Sequence, residues 1–152
     1  LSYTADTIKV VKRGIKDSIK TTNLGTIAFV TNEAKLYKVP VANIIEAGSI
    51  KIANLIKDSA PIVFIGDLGQ IQVNKYWMFA TKSGMVKKSE VSEYNYFGRQ
   101  GSKMMKLRED DKVISCGVFT SNDENFNFTG GGSVKIGNVK NTSKAAMGNK
   151  MF

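Results

Sequence analysis

FATKSGMVKKSEVSEY, residues 79–94, belongs to a set of three related stretches in this 152-residue chain. FVTNEAKLYK covers 29–38, FATKSGMVKK covers 79–88, and the more divergent NFTGGGSVKI covers 127–136. Thr31, Thr81 and Thr129 lie 50 and 48 residues apart. Each is followed by a turn slot (Ala34, Gly84, Gly132) and then by an apolar position (Leu36, Val86, Val134). A period near fifty marks a repeat architecture, in which each unit buries its apolar face against its neighbours.

Each copy alternates. Ile27, Phe29 and Thr31 point one way, Ala28 and Val30 the other, and Leu36 and Lys38 follow the turn. Two short β-rich runs around a polar turn predict a β-hairpin. Further strands are read at Ile62–Ile65, Ile71–Val73 and Val113–Val118. About four strands per unit of forty to fifty residues is the content of a propeller blade. The expectation is an all-β, propeller-like fold of four-stranded antiparallel blades, with about three blades present, divided near 1–58, 59–110 and 111–152.

A second element trails each hairpin: EAGSIKIANLIKD at 46–58, FGRQGSKMMKLREDDKVI at 97–114, and SKAAMGNKMF at 143–152, which looks like the same element cut short. Ile44, Ile45, Ile52, Leu55 and Ile56 also fit one face of an amphipathic helix. The correspondence with 97–114, where Gly98 and Gly101 interrupt a helix, favours little or no helix. The chain opens on Leu1 without a recognisable leader, and it reads as a piece of a larger protein.

Composition narrows the function. With 42% apolar residues the chain can build a core, and no run approaches the ~18 uninterrupted apolar residues of a membrane span. Cys116, the lone cysteine, reads as a small buried hydrophobe in an apolar strand. Histidine is absent, which removes the commonest general base and metal ligand. Glu109, Asp110 and Asp111 read as a solvated acidic turn, with Asp123 and Glu124 in the equivalent place, and Gly130–Gly132 as a hairpin turn. No catalytic residue, metal ligand or bound cofactor is expected. Twenty-two Lys and Arg against thirteen Asp and Glu leave +9, and no acid follows Glu124. The N-terminal stretch carries Lys9, Lys12, Arg13, Lys16 and Lys20 against Asp6 and Asp17. Such an excess points to a polyanion, most often nucleic acid.

FATKSGMVKKSEVSEY with MKLREDDKVISCGVF at 105–119 resembles the C-terminal domain of the A subunit of bacterial type IIA topoisomerases, DNA gyrase and topoisomerase IV. TIAFVTNEAKLYKVPVANI at 26–44 resembles the preceding blade, and NFTGGGSVKIGNVKNTSKAAMG at 127–148 the next one. The resemblance implies a β-pinwheel, a disc of about five or six blades in which neighbours exchange a strand and a basic rim wraps duplex DNA. It implies partnership with double-stranded DNA, with the B (ATPase) subunit, and with the rest of the A subunit. It also implies a cytoplasmic, nucleoid-associated place and no membrane. The whole enzyme would need ATP and Mg2+. The loop NYFGRQGSKM after Tyr94 lacks the glutamine-arginine-glycine-rich box of gyrases, which tilts towards topoisomerase IV without deciding it. The catalytic tyrosine of the family lies in another region, so Tyr3, Tyr37, Tyr76, Tyr94 and Tyr96 are not assigned that role.

A wrapped duplex is held mainly through phosphates, so the surface needs cations along a curve and no base-reading code. The DNA-binding candidates are Lys35, Lys38 and Lys51 in the first unit, Lys82, Lys87, Lys88, Arg99 and Lys103 in the second, and Lys135, Lys140 and Lys144 in the third. Lys87, Lys88, Arg99 and Lys103 form the densest group. Phe29, Trp77, Phe79, Tyr94 and Phe128 read as core rather than as base-stacking platforms. The expected function is sequence-tolerant binding, bending and wrapping of duplex DNA, which directs DNA segments to a catalytic core. The rivals are a protein-interaction propeller whose basic rim binds acidic partners, and a propeller hydrolase.

Overall fold

In the computed structural model, which describes residues 1–4, 7–12, 15–94, 101–128, 132–142 and 148–150, β-strands dominate. Strands β1 (Ser2–Thr4), β2 (Thr7–Lys12) and β3 (Ile15–Lys20) form an antiparallel meander. The first repeat contributes β4 (Thr26–Thr31) and β5 (Lys35–Pro40), helices α1 (Val41–Ala47) and α2 (Ile52–Ile56), strand β6 (Ile62–Asp67) and helix α3 (Leu68–Gln72). The second contributes β7 (Tyr76–Thr81), β8 (Met85–Glu90), β9 (Ser102–Lys103) and β10 (Val113–Phe119). The hairpin β11 (Asn125–Phe128) and β12 (Gly132–Lys135) follows, and then β13 (Asn149–Lys150). No helix among the described residues is long and apolar enough to cross a membrane.

Two sheets have the same plan, β6-β4-β5-β9 and β10-β7-β8-β13. In each, a hairpin takes its inner neighbour from the strand that follows it and its outer neighbour from chain beyond the next hairpin. The sheets therefore cut across the blade boundaries near 58 and 110. The elements 97–114 and 143–152 share one role: GSK at 101–103 and GNK at 148–150 bring in these outer strands. The third hairpin pairs only within itself among the described residues.

The hairpin turns explain the repeat. Thr31 Oγ1 accepts from the N–H groups of Glu33 (3.3 Å) and Lys35 (3.4 Å), and Thr81 Oγ1 accepts from Met85 N–H (3.1 Å). The turn slot closes in the left-handed region, at φ 61° for Ala34 and 94° for Gly84. This is a type I turn with a left-handed residue, a common three-residue hairpin connection.

The sheets stack, so both faces of the two central hairpins are buried. Ala28, Val30 and Leu36 meet Trp77, Phe79, Met104 and Val113 between the two four-stranded sheets. On the far side of the first sheet, Ile27, Phe29 and Tyr37 meet Ile8 and the helix residues Val41 and Ile44. On the far side of the second, Tyr76, Met78 and Val86 meet Phe126 and Phe128. The five aromatics read as core are all buried. Phe64 meets Trp77 edge-on at 5.2 Å, a geometry that adds ~0.5–1.5 kcal/mol to area burial.

Three local expectations are corrected. Residues 41–47 and 52–56 are helical, because Val41 and Ile44 share a buried face and Gly48, at φ 76°, ends α1 before any strand begins. Segment 46–58 is therefore not the counterpart of 97–114, whose ordered pairing is a strand. Ile71–Val73 is not a strand, since Asp67 accepts from Gln70 N–H (3.0 Å) and starts α3 at the end of β6.

Candidate nucleic-acid interface

Lys87 and Lys88 are inside the protein, at 0% and 5% exposure. Their placement corrects the expectation that they line a phosphate-facing rim. Neighbouring residues on a strand point to opposite faces, and both faces of β8 are covered. Lys87 Nζ donates to Met104 O at 2.8 Å, beside the hydroxyl of Tyr94, which donates to the same carbonyl at 2.7 Å. Burial pulls Lys87 down to about 8, against a smaller upward pull from Glu93. Lys88 Nζ lies 4.3 Å from the Tyr76 ring centre and donates to Asn122 Oδ1 (2.7 Å) and Ile136 O (3.2 Å). Lys38, fifty residues before Lys88, is half-buried and donates to Tyr94 O at 3.2 Å, and burial lowers its pKa. Lys38 and Lys88 fasten successive hairpins to the next unit along the chain.

The remaining described candidates stay at the surface. Lys51, Lys82, Lys103, Lys135 and Lys140 are exposed, and Lys35 is partly so. Arg99 and Lys144 lie outside the described residues. Lys57, Lys75, Lys106 and Arg108 are also exposed, and the sequence reading passed over them. Lys106 and Arg108 continue the exposed run from Lys103, and the mixed KLRED composition there was the signal for them.

One pairing departs from a random surface. Lys35 on β5 and Lys103 on β9 are direct cross-strand partners. Directly opposed residues hold their Cβ atoms about 4.5–5.5 Å apart, and like charges there are destabilising. The segment carrying Lys103 is pinned on both sides. Gly101 lies against Tyr37, so closely that an added Cβ would sit 2.6 Å from the ring. Met104 N–H donates to Ala34 O (2.8 Å), while the Met104 carbonyl receives Lys87 and Tyr94. Tyr37 itself donates to Asp58 Oδ2. Burial first, then this bond and the charges of Asp58 and Glu33, push Tyr37 up to about 12, and the same bond holds Asp58 below the usual carboxylate range.

The acidic turn differs from its reading. Glu109 and Asp110 are exposed, but Asp111 is buried and caps the second hairpin turn. It accepts from Ser83 N–H (2.9 Å), Ser83 Oγ (2.6 Å) and Lys112 N–H (2.9 Å). Burial alone would raise its pKa, and these hydrogen bonds together with one to Thr81 outweigh that and lower it. Cys116 packs against the inter-sheet core, where burial pushes its thiol well up.

Stacked four-stranded sheets, each completed by a strand from beyond the next hairpin, define the class: a β-pinwheel of the propeller type, here with part of its disc. Residues 75–120 match the family model described as DNA gyrase C-terminal domain, beta-propeller. The DNA gyrase A subunit of Streptococcus pyogenes serotype M1 is 31% identical over 117 residues, covering 72% of this chain. Its counterpart in Lawsonia intracellularis is 31% identical over 115 residues, also covering 72%. The chain spans 14% of the length of either relative. Among solved structures, the C-terminal domain of DNA topoisomerase IV matches 88% of this chain and 45% of its own, with a TM-score of 0.71 at 21% identity. The DNA gyrase A C-terminal domain matches 99% and 52%, with a TM-score of 0.59 at 16% identity. The chain belongs to the C-terminal β-pinwheel domain of the type IIA topoisomerase A subunit, the DNA gyrase and topoisomerase IV family, in a region distinct from the catalytic centre.

Proposed function

We propose that this chain binds duplex DNA through its phosphates, with little regard to sequence, and bends and wraps it as part of a type IIA topoisomerase A subunit. In that role it directs DNA segments to a catalytic core elsewhere in the enzyme, which works with Mg2+ and an ATP-hydrolysing B subunit on the cytoplasmic nucleoid. The observation that carries the reading is the spread of exposed cations over every unit of the repeat. Lys35 and Lys51 lie in the first, Lys82 and Lys103 in the second, and Lys135 and Lys140 in the third, in a chain with a net charge of +9. Cations distributed along stacked sheets suit a curved phosphate path, and such binding favours DNA that bends easily.

The test is a titration of the chain with a ~100-base-pair linear duplex over a range of salt, with bending read by end-to-end energy transfer. Neutralising Z phosphates gives a log–log slope of roughly −0.9Z. Reversing Lys51, Lys82, Lys135 and Lys140 to Glu is expected to flatten the slope and abolish bending. A weak, salt-independent interaction in the unaltered chain would instead favour a module whose basic surface takes an acidic protein.

A further inference from the structure

We infer that Lys35 and Lys103 form a seat for a single phosphate group, and that filling this seat tightens the docking of the exchanged strand that carries Lys103. The inference rests on the phosphate-binding reading above and adds a coupling to it. The two lysines come from chain segments 68 residues apart, and the pairing of β5 with β9 sets them face to face. The backbone around Lys103 has little room to relax: Gly101 is against Tyr37, and Met104 is held through its N–H by Ala34 and through its carbonyl by Lys87 and Tyr94. Two ammonium groups are thereby kept together at the outer edge of the sheet, at an electrostatic cost. The acid that acts on Lys35 is Asp58, whose oxygens accept from Tyr37 Oη and from Ala60 N–H (2.8 Å). Glu33, on the adjoining turn, pairs with Lys112 at 3.3 Å. An anion with oxygens on two sides satisfies both ammonium groups at once and turns the repulsion into attraction. Lys57 is exposed at a neighbouring hollow of ≈ 360 Å³ lined also by Tyr37 and Gly101, where a chain of phosphates could continue.

Because Lys103 reaches Lys35 only when β9 is docked, any ligand of the pair favours the docked state by mass action. Hydrogen exchange at the Met104 amide reads that docking directly. Two probes separate the sources of phosphate: inorganic tripolyphosphate and the ~100-base-pair duplex. With either present at ten times its dissociation constant, Met104 exchange is expected to slow about tenfold, more than amides of the β7–β10 pairing. Lys35→Gln removes the slowing. In the absence of ligand, Lys103→Glu makes an ion pair with Lys35, so it raises the thermal midpoint by roughly 1–5 °C while weakening binding of both probes. A purely structural lysine would lose stability and binding together, and that result overturns the seat. Uniform slowing of all amides by tripolyphosphate, or slowing that survives Lys35→Gln, also overturns it. Duplex binding with a steep salt slope and an unchanged Met104 amide overturns the coupling but keeps the DNA reading. Slowing by tripolyphosphate with no duplex binding supports the seat and removes the DNA reading.

Discussion

The hairpins β4–β5 and β7–β8 correspond residue for residue at an offset of fifty, down to matching backbone bonds. Val41 N–H donates to Gly25 O and Val91 N–H to Lys75 O, both at 2.9 Å, and Asn32 N–H to Pro61 O and Lys82 N–H to Lys112 O, both at 2.8 Å. They differ at the slot against which the exchanged strand presses a glycine. In the first sheet Tyr37 fills it and Gly101 lies over it; in the second Lys87 fills it and Gly148 lies over it. A phenol and an ammonium serve equally as the wall of that slot, provided each finds a buried acceptor. Tyr37 has Asp58, and Lys87 has the Met104 carbonyl. The backbone plan therefore asks for a long side chain with a polar tip, whether aromatic or cationic.

The glycines should break the comparison most severely. Gly148 has φ 92°, and an added Cβ would come within 2.8 Å of Val86 O, whereas Gly101 meets only the Tyr37 ring. Gly148→Ala is expected to cost about 3 kcal/mol in urea unfolding, and Gly101→Ala about 2 kcal/mol. Losses below ~0.5 kcal/mol in both would mean that the outer strands do not lie against these slots.

The buried ammonium gives the second sheet a dependence on pH that the phenol does not give the first below pH ~10. Lys87 falls to about 8 in the fold against 10.5 when exposed, so between these values the unfolded chain holds a proton that the native state lacks. Stability then rises with pH, by about 2 kcal/mol from pH 8 to 10. Chemical denaturation across that range should show the rise in the unaltered chain and a flat line in Lys87→Met. Above pH ~10 the raised pKa of Tyr37 works in the opposite direction, because the unfolded phenol loses its proton first.

Asp111 sharpens the contrast between the turns, since the second is capped by a carboxylate from β10's approach and the first by Thr31. Asp111→Ala is expected to cost about 2 kcal/mol at neutral pH through the loss of its three donors. Its pKa is depressed in the fold, so its contribution is full above the unfolded value of 3.8 and is lost as pH falls through the folded one. Mutant and unaltered chain should converge in acid, as acid-unfolding curves would show. The smallest expected effect is at the turn slot. Gly84→Ala should cost about 1 kcal/mol, whereas Ala34→Gly should stay within about 0.5 kcal/mol, because relief of the left-handed strain is offset by a lost buried methyl and a looser unfolded chain.

The threonine-to-turn spacing made both central hairpins, the period and the aromatic core readable from the residues alone. The helices at 41–47 and 52–56 escaped because five to seven residues hold too few turns to separate a 3.6 period from a buried strand. The burial of Lys87 and Lys88 was legible by a route not taken. Consecutive residues of a strand face opposite sides, and a stacked sheet has no wet side, so neither lysine had an open face to occupy. The pairing of Lys35 with Lys103 was beyond the sequence, because it depends on a two-residue strand joining a sheet begun 68 residues earlier.

The late arrival of that strand has a consequence for a chain emerging from the ribosome. Strand β5 ends at Pro40, yet its outer neighbour ends at Lys103, by which time the next hairpin has already been made. At the ~5–20 residues per second of synthesis, β5 waits roughly 3–13 s with its edge unpaired. An open edge attracts stray strands, and lysine on it is the usual deterrent. Lys35 and Lys38 are thus gatekeepers during birth as well as parts of the finished molecule, holding the berth for a strand that has yet to be translated.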